Sequence, residues 1–248
     1  MTMPSEADLL RPELLLSWAK KEFRDRFAIV TSFQKEGMIL VDMASKISKD
    51  IRVVTIDTGR LPAETYAMME TVRERYGLKV EVLAPDATEV SNLMTIHGPN
   101  LFHRAVPLRK LCCEIRKVRP LALHLKSLSA YAVGLRRGQS EERVDVAKAQ
   151  MDRGRWKLSP LAEWTETQVE EYIAANNVPV HPLYAAGYQT IGCSSCTRAS
   201  SAGDLARAGR WWWENEGDKE CGLHLTPKGE LKRELDVLLD EVLTTTHA

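Results

Sequence analysis

The sequence lacks an excess of charge of either sign, a long apolar run and an even number of cysteines. Lys plus Arg and Asp plus Glu number 34 each among the 248 residues. This balance gives no global field that would attract nucleic acid or an anionic membrane surface. No apolar stretch approaches the roughly 18 residues of a membrane-spanning helix, and none has the form of a signal-peptide core. We therefore expect a cytoplasmic protein with neither nucleic acid nor membrane as a partner.

Only five cysteines are present. An odd number argues against a framework of disulfides, which are also rare in a reducing compartment. Hydrophobic residues make up 44% of the sequence and charged residues 27%. At this length, such a composition predicts one large α/β domain rather than a disordered chain or two full domains.

Short apolar runs alternate with helical stretches along the first half of the chain. Residues 27–31, 51–56, 79–83 and 129–133 are predicted strands, and the second, a continuous run rich in β-branched residues, has the composition of a buried parallel strand. An amphipathic helix is predicted before them at residues 9–23, and a helix after them at residues 165–176. Strands that alternate with helices predict a parallel, doubly wound sheet, which binds its ligand at the carboxyl ends of the strands.

The loop after the first predicted strand is a candidate phosphate site. Residues 32–37 lead from that strand into a helix, whose N-terminus offers backbone N–H groups to an anion. Ser32 and Lys35 add donors of their own. The alternative is an ordinary loop between a strand and a helix, and the residues of this loop leave both interpretations open.

Two further strand ends carry polar side chains. Asp57 and Thr58 follow the second strand, where they either help to seat a nucleotide or cap the next helix. Arg136 and Arg137 follow the fourth strand. A guanidinium suits phosphate or sulfate oxygens, although adjacent arginines also occur in solvated turns.

Four of the five cysteines occur as two pairs. Cys112 and Cys113 are adjacent, whereas Cys193 and Cys196 enclose two residues. Four thiolates form a complete coordination set if the fold brings the pairs together. We interpret them as ligands of a 4Fe–4S cluster. The side chains of adjacent cysteines diverge, so they reach two irons of a cube more readily than a single ion.

Three alternatives to the cluster have to be considered. Zinc also takes four sulfurs, usually from pairs that have a spacer. A redox CxxC would open a helix in a thioredoxin-like unit, and no such short βαβ layout surrounds this motif. The four residues could also be plain buried thiols of a cytosolic core.

The last fifty residues differ in character from the rest. Small and polar residues come first, Trp211, Trp212 and Trp213 follow, and Cys221 lies in a polar stretch. We expect the tryptophans to fill a core or an interface and the stretch around Cys221 to be mobile. Helical spacing predicts a terminal amphipathic helix that packs on the body or on another subunit, through Leu231, Leu235, Leu238, Leu239 and Val242.

Five segments together carry a resemblance to a known family. They are the tandem-cysteine segment 112–121, the Gly-Leu-Arg-Arg segment 134–140, the CxxC segment 192–198, the Arg-Ala-Gly-Arg-Trp segment 207–211 and the Lys-Glu-Cys-Gly-Leu-His segment 219–224. From about residue 32 to residue 224, the chain resembles the assimilatory adenylyl-sulfate (APS) reductases of the APS/PAPS reductase family. The double cysteine pair separates these proteins from the PAPS reductases, which keep the terminal cysteine motif but lack the cluster.

The resemblance implies a fold, a cofactor and partners. The fold is the adenine-nucleotide α-hydrolase type of α/β sheet, with residues 1–199 as the nucleotide- and cluster-binding domain and residues 200–248 as a flexible segment. The cofactor is a 4Fe–4S cluster held by Cys112, Cys113, Cys193 and Cys196. The substrate is APS, the reductant is thioredoxin, and the family is often homo-oligomeric.

The resemblance also implies roles for individual residues. Cys221 is the catalytic nucleophile, which attacks the sulfur of APS to give an S-sulfocysteine that thioredoxin reduces to sulfite. The implied substrate-binding residues are Ser32, Lys35, Thr58, Gly59, Arg60, Lys117, Arg136, Arg137, Arg207, Arg210 and His224. Gly37 departs from the family pattern, because an acidic residue is common there, and this departure leaves the roles of Glu36 and Gly37 open.

Three alternative functions would require other sequence features. A reductase of PAPS, or of both nucleotides, would need further basic groups for the 3′-phosphate. A pyrophosphatase-type ligase or sulfurtransferase would want a glycine-rich SGGxDS-like loop, whereas residues 32–37 contain one glycine. A structural metal-binding module that binds nucleic acid would want a basic surplus, which is absent.

Overall fold

One six-stranded sheet organises the protein. The structure is a computed structural model that describes residues 4–6, 9, 11–140, 143–201, 203–204, 207–214 and 229–245. The strand order is β3-β2-β1-β4-β6-β5. The strands are β1 (Phe27–Val30), β2 (Arg52–Ile56), β3 (Val80–Leu83), β4 (Ala130–Ala132), β5 (Ala149–Asp152) and β6 (Arg155–Leu158). The first four confirm the strands predicted from the sequence.

The sheet is parallel except at one edge. β1 pairs with β2 and β4, β2 with β3, and β4 with β6, all in parallel. β5 runs antiparallel to β6. The turn between them is formed by Arg153 and Gly154, at φ 50° and 82°, as in the two-residue hairpins that suit twisted strands. This hairpin adds an antiparallel edge to the predicted parallel sheet.

Helices cover both faces of the sheet, as predicted. They are α1 (Pro12–Phe23), α2 (Lys35–Ile47), α3 (Ala63–Tyr76), α4 (Ala87–His97), α5 (Val106–Cys113), α6 (Arg119–Leu125), α7 (Glu166–Asn176) and α8 (Gly229–Thr244). Ile29 and Val53 face the core formed with α1, α2, α3 and α7. Their neighbours Ala28 and Val54 face α6 on the other side, because successive side chains of a strand alternate.

A third apolar cluster lies between α4, α5 and α8. Leu93, Leu111, Leu235 and Val242 belong to it, together with all four paired cysteines. The Asn92 side-chain amide donates to the Val242 and Thr245 carbonyls at 2.9 and 2.8 Å, and so satisfies carbonyls at the end of α8. The predicted terminal helix is therefore confirmed, with its apolar face on the body of the protein.

Of the helices in the described ranges, none combines the length and the apolar character that crossing a bilayer requires. Cys221, His224 and the mobility expected around them lie outside the described residues. The boundary placed at residue 199 stays a prediction.

Candidate functional site: a basic cleft beside a four-cysteine cavity

A large cleft of about 1070 Å³ opens where β1 and β4 end and continues along the sheet face next to α6. Four of the residues expected to bind substrate line it together, namely Ser32, Lys35, Arg136 and Arg207. The carboxyl ends of parallel strands meet at this edge. The structure thus brings together residues that are up to 175 positions apart in the sequence.

The loop between β1 and α2 is fixed from both sides. Phe33 has a φ of 56°, and its N–H donates to Thr31 Oγ1 at 2.9 Å. Gln34 Oε1 accepts the N–H of Ile191 at 3.0 Å, so the loop is tied to the segment that leads to Cys193. Since α2 begins at Lys35, its N-terminus, with a partial positive charge, lies at the cleft.

Close packing explains the glycine at position 37. A Cβ on Gly37 would overlap Thr31 Oγ1, and a Cβ on Gly134 would lie 2.8 Å from that of Glu36. Both glycines therefore allow α2 to approach the ends of β1 and β4. The absence of an acidic side chain at position 37 thus has a steric reason in this protein.

The Arg136 guanidinium is held by protein groups. Its Nε donates to Glu36 Oε1 at 2.8 Å and its Nη1 to the Trp164 carbonyl at 3.1 Å, while its Nη2 pairs with Glu166. Lys35 pairs with Glu166 and Glu170. Burial alone would lower the pKa of Lys35, but the Glu170 and Glu166 carboxylates raise it. Both cations therefore line the cleft at positions fixed by carboxylates, which offset part of their charge.

Arg137 lies elsewhere. Its Nε donates to the Val146 carbonyl at 3.0 Å, and its Nη1 lies 3.3 Å from Glu163 Oε1. It does not line the cleft. Arg143 and Lys157, which no motif in the sequence marked as part of a site, do line it. Burial lowers the pKa of Lys157, although Asp152 opposes that shift. Polar and apolar residues alternate along β6, a signal for a strand with one polar face.

A small cavity beside the cleft gathers the four paired cysteines. Cys112 and Cys113 end α5, and Cys193 and Cys196 flank a short helical turn, Ser194–Cys196. All four are buried. The same cavity is lined by five cationic side chains, Arg60, Arg109, Arg116, Lys117 and Arg210. Three of the predicted substrate residues, Arg60, Lys117 and Arg210, are therefore next to the cysteines.

The loop after β2 packs against this cavity and lines it through Arg60. Thr58 Oγ1 lies 3.3 Å from Cys193 Sγ, and the Thr58 carbonyl accepts Arg116 Nη1 at 2.7 Å. Gly59 has a φ of 68° and lies against Arg116. The Ser194 N–H donates to the Arg60 carbonyl at 2.9 Å. The structure thus places Thr58 and Arg60 against the segment of the second cysteine pair and Gly59 against Arg116. Asp57 instead accepts from the Gly59 N–H and from the Tyr66 hydroxyl of α3.

Burial and charge act in opposite directions on the cysteines. Burial raises the pKa of Cys112 to about 11. The nearby Arg116 lowers this pKa, whereas Cys193 and Cys196 raise it further. Burial also raises the pKa of Cys196. Burial would raise the pKa of Cys193 as well, but Lys117, Thr58 and Arg210 lower it. The second pair thus includes a thiol whose surroundings favour the thiolate.

The residues fit an anionic cluster with cysteine ligands. Three of the residues that line the cavity have a buried N–H group without a hydrogen-bond partner among the described residues. These groups are Arg116 Nε, Arg210 Nε and Trp211 Nε1. Unpaired buried N–H groups are costly, and sulfur anions accept such bonds. Among the described residues, no group of three or more His, Cys, Asp or Glu is placed to hold a metal ion.

Several residues of this cavity were not predicted to be part of the site. Arg109 and Arg116 lie three or four positions from the tandem cysteines, a spacing that puts residues on one face of a helix. A π-helical turn, Glu114–Val118, follows Cys113 directly, and such turns are frequent at functional sites. Trp211 is fully buried, as expected for a core tryptophan, and also lines the cavity.

Comparison with known proteins identifies the family. Residues 26–199 match the phosphoadenosine phosphosulfate reductase domain. The chain is 44% identical over 207 residues to the adenosine 5′-phosphosulfate reductase of Burkholderia cepacia, with 83% of each chain covered. It is 41% identical over 212 residues to the enzyme of that name from Allochromatium vinosum, with 85% of this chain and 82% of the relative covered.

Solved structures agree with the fold. A crystal structure of phosphoadenylyl-sulfate (PAPS) reductase from Candida auris, a phosphate complex, matches with a TM-score of 0.64 and 26% identity, covering 78% of this chain and 97% of that one. The FMN adenylyltransferase of Candida glabrata, at 12% identity and a TM-score of 0.51, covers 98% of this chain and 86% of that one. The second match concerns the fold alone. The resemblance found in the sequence is confirmed, and the chain belongs to the phosphoadenosine phosphosulfate reductase family.

Proposed function

We propose that the protein reduces adenosine 5′-phosphosulfate to sulfite and AMP in assimilatory sulfate reduction. The observation that carries this proposal is the proximity of a basic nucleotide-sized cleft to a cavity lined by four cysteines, which are linked through one tryptophan. Arg207 lines the cleft, Arg210 lines the cavity, and both lie against the Trp211 ring. The relatives from Burkholderia cepacia and Allochromatium vinosum bear the name of this activity.

The cleft supplies groups that suit a phosphosulfate. The N-terminus of α2, Ser32 and Lys35 bind the phosphate from one side. Arg207, with Lys117 and Arg210 in the adjoining cavity, neutralises the sulfate end. Cationic donors around both groups also stabilise the charge that develops on AMP as it leaves. The adenosine lies along the sheet face, whose apolar lining includes Val30, Leu121 and Leu135.

Cys221 provides the nucleophile. Its thiolate attacks the sulfur of the sulfonyl group, the bond from that sulfur to the phosphate oxygen breaks, and AMP leaves with the electron pair. The product is an S-sulfocysteine. A thioredoxin thiolate then attacks the Cys221 sulfur and releases sulfite, and the second thioredoxin thiol displaces Cys221. Thioredoxin therefore supplies the two electrons and becomes a disulfide.

The proposed cofactor is a 4Fe–4S cluster held by Cys112, Cys113, Cys193 and Cys196. When bound, it supplies a fixed charge and a structural centre rather than a path for electrons. Arg116 Nε and Trp211 Nε1, buried N–H groups without a protein partner among the described residues, would be available as donors to such a cluster. A reducing cytoplasm, a separate thioredoxin and a homo-oligomer complete the proposal.

An assay of sulfite release tests the proposed activity. The protein, purified without oxygen, is incubated with APS or PAPS in the presence or absence of reduced thioredoxin. We expect sulfite and AMP from APS only when thioredoxin is present. Sulfite from PAPS alone would assign the other nucleotide, and release of pyrophosphate from ATP without sulfite would contradict the proposal.

A further inference from the structure

Three guanidiniums from two parts of the protein, α5 and the segment 207–210, surround the Trp211 ring. Arg109, on α5, has its Cζ 4.2 Å from the ring centroid. Arg210, in the cysteine cavity, lies at 4.5 Å, and Arg207, in the cleft, at 5.7 Å. The tryptophan is 0% exposed. One indole therefore contacts the cysteine helix and the arginines of both cavities, at distances typical of cation–π interactions.

A buried ion pair fixes Arg109 beneath this ring. Arg109 Nε and Nη2 donate to the two carboxylate oxygens of Glu214 at 2.7 and 3.0 Å. The Arg109 side chain is 0% exposed and that of Glu214 is 9% exposed. Two parallel bonds between planar groups allow essentially one arrangement. The pair therefore holds the turn at residues 211–214 on the helix that carries Cys112 and Cys113.

The backbone of this turn is also restrained. The Glu214 N–H donates to the Trp211 carbonyl at 2.9 Å, and the Trp211 N–H donates to the Cys196 carbonyl at 3.2 Å. Trp211 itself has a φ of 42°, a conformation that a bulky residue adopts only when its surroundings impose it. Arg210 immediately precedes it, and its guanidinium lies over Gly192, where any Cβ would overlap it.

We infer that Arg109, Trp211 and Glu214 are positioning residues for substrate binding. The Arg109–Glu214 pair holds the indole, and the indole orients Arg207 toward the cleft and Arg210 toward the cysteines. This inference rests on the proposed function, because it assigns Arg207 and Arg210 to the substrate. The rival explanation is that the three residues only stabilise the third apolar cluster.

Coupling between variants distinguishes the two explanations. If Glu214 acts through Arg210, its effect on binding shrinks once Arg210 is gone, because residues that act through one another are not additive. A residue that only stabilises the fold would change binding by the same factor in both backgrounds. The measurement is calorimetric binding of APS at equilibrium, in a Cys221→Ser background that cannot turn over.

The variants are Glu214→Gln, Arg210→Ala and the two combined, with Trp212→Phe as the control. Trp212 packs on Trp213 and Arg198 and lines neither cavity. We expect Glu214→Gln to weaken APS binding about tenfold. Each single variant weakens APS binding by some factor. In the double variant, the factor by which APS binding weakens should be at least about threefold smaller than the product of the two single factors. Trp212→Phe should bind like the parent.

Trp211→Phe is a milder second variant, should Glu214→Gln leave Arg109 unpaired and prevent folding. It keeps an aromatic face with a weaker attraction for cations, so APS binding should weaken about threefold while the visible absorbance of the cluster persists. A parent that does not bind APS would overturn the proposed function and this inference with it. A parent that binds APS, with parental affinity in Trp211→Phe or with fully additive losses, would overturn the inference alone.

Discussion

Thr58 Oγ1 lies 3.3 Å from Cys193 Sγ, so the loop after β2 contacts the second cysteine pair directly. In an open α/β sheet this loop would be expected to face a nucleotide. Here Thr58 is buried and its carbonyl holds Arg116 from the tandem-cysteine segment. One loop therefore joins the edge of the sheet to both cysteine pairs.

Thr58→Val should weaken retention of the cluster. Valine has the shape of threonine without its hydroxyl, so Cys193 loses a donor worth about 1 kcal/mol, or about a fivefold factor. We expect the visible absorbance of the protein to decay about five times faster in air. Thr58→Ser, which restores the hydroxyl, should return the decay rate to near that of the parent. Equal rates in all three proteins would show that this contact does not stabilise the site.

Iron analysis tests the ligand set. Protein purified without oxygen should be brown and should contain about four irons and four sulfides per chain. Replacement of Cys112, Cys113, Cys193 or Cys196 by serine should remove both colour and activity, because an incomplete ligand shell exposes the cluster. Stoichiometric zinc in a colourless protein would contradict the assignment.

Gly37→Ala should destabilise the fold by about 1–3 kcal/mol, because its Cβ would overlap Thr31 Oγ1. Gly138→Ala is a matched control, since the nearest atom to its Cβ, Arg136 Nη1, would be 3.9 Å away. The control should change the free energy of unfolding by less than about 0.5 kcal/mol. Denaturant unfolding measures both, and equal stabilities would refute the close approach of α2 to Thr31.

The two adjacent arginines should differ in their effect on stability. Arg136→Ala removes the partner of Glu36, whose side chain is mostly buried, and should cost about 3–5 kcal/mol. Arg137→Ala removes an exposed pair with Glu163 and should cost less than about 1 kcal/mol. Thermal unfolding of both variants makes the comparison. Similar losses would show that the Glu36–Arg136 pair is not a buried structural contact.

The sequence predicted the regular part of the fold well. Strands β1 and β2 are short runs rich in apolar and β-branched residues, and in β3 apolar residues alternate with Glu81. Leu235 and Val242 recur at helical spacing, so elements of both kinds follow from the residue pattern. The β5–β6 hairpin escaped prediction because Arg155 and Lys157 make half of β6 polar. Its Arg153–Gly154 turn was the remaining signal.

The composition of the site was predictable only in part. Cysteine pairs are visible as motifs, and their convergence follows from the resemblance. The division of basic residues between the two cavities does not, because it depends on tertiary packing. Arg136, for example, pairs with Glu36, which is 100 positions away in the sequence. Arg109 was missed because a buried arginine is recognised by its partner, Glu214, and not by its neighbours in the sequence.

The intact mass of the protein after incubation with APS, without thioredoxin, tests the central claim most directly. The other four cysteines are assigned to the cluster, so Cys221 is the thiol left for covalent chemistry. The parent protein should gain the mass of one SO₃ unit and lose it when reduced thioredoxin is added. Cys221→Ser should keep the cluster and gain no mass. The same gain in Cys221→Ser, or continued sulfite release by that variant, would contradict the account.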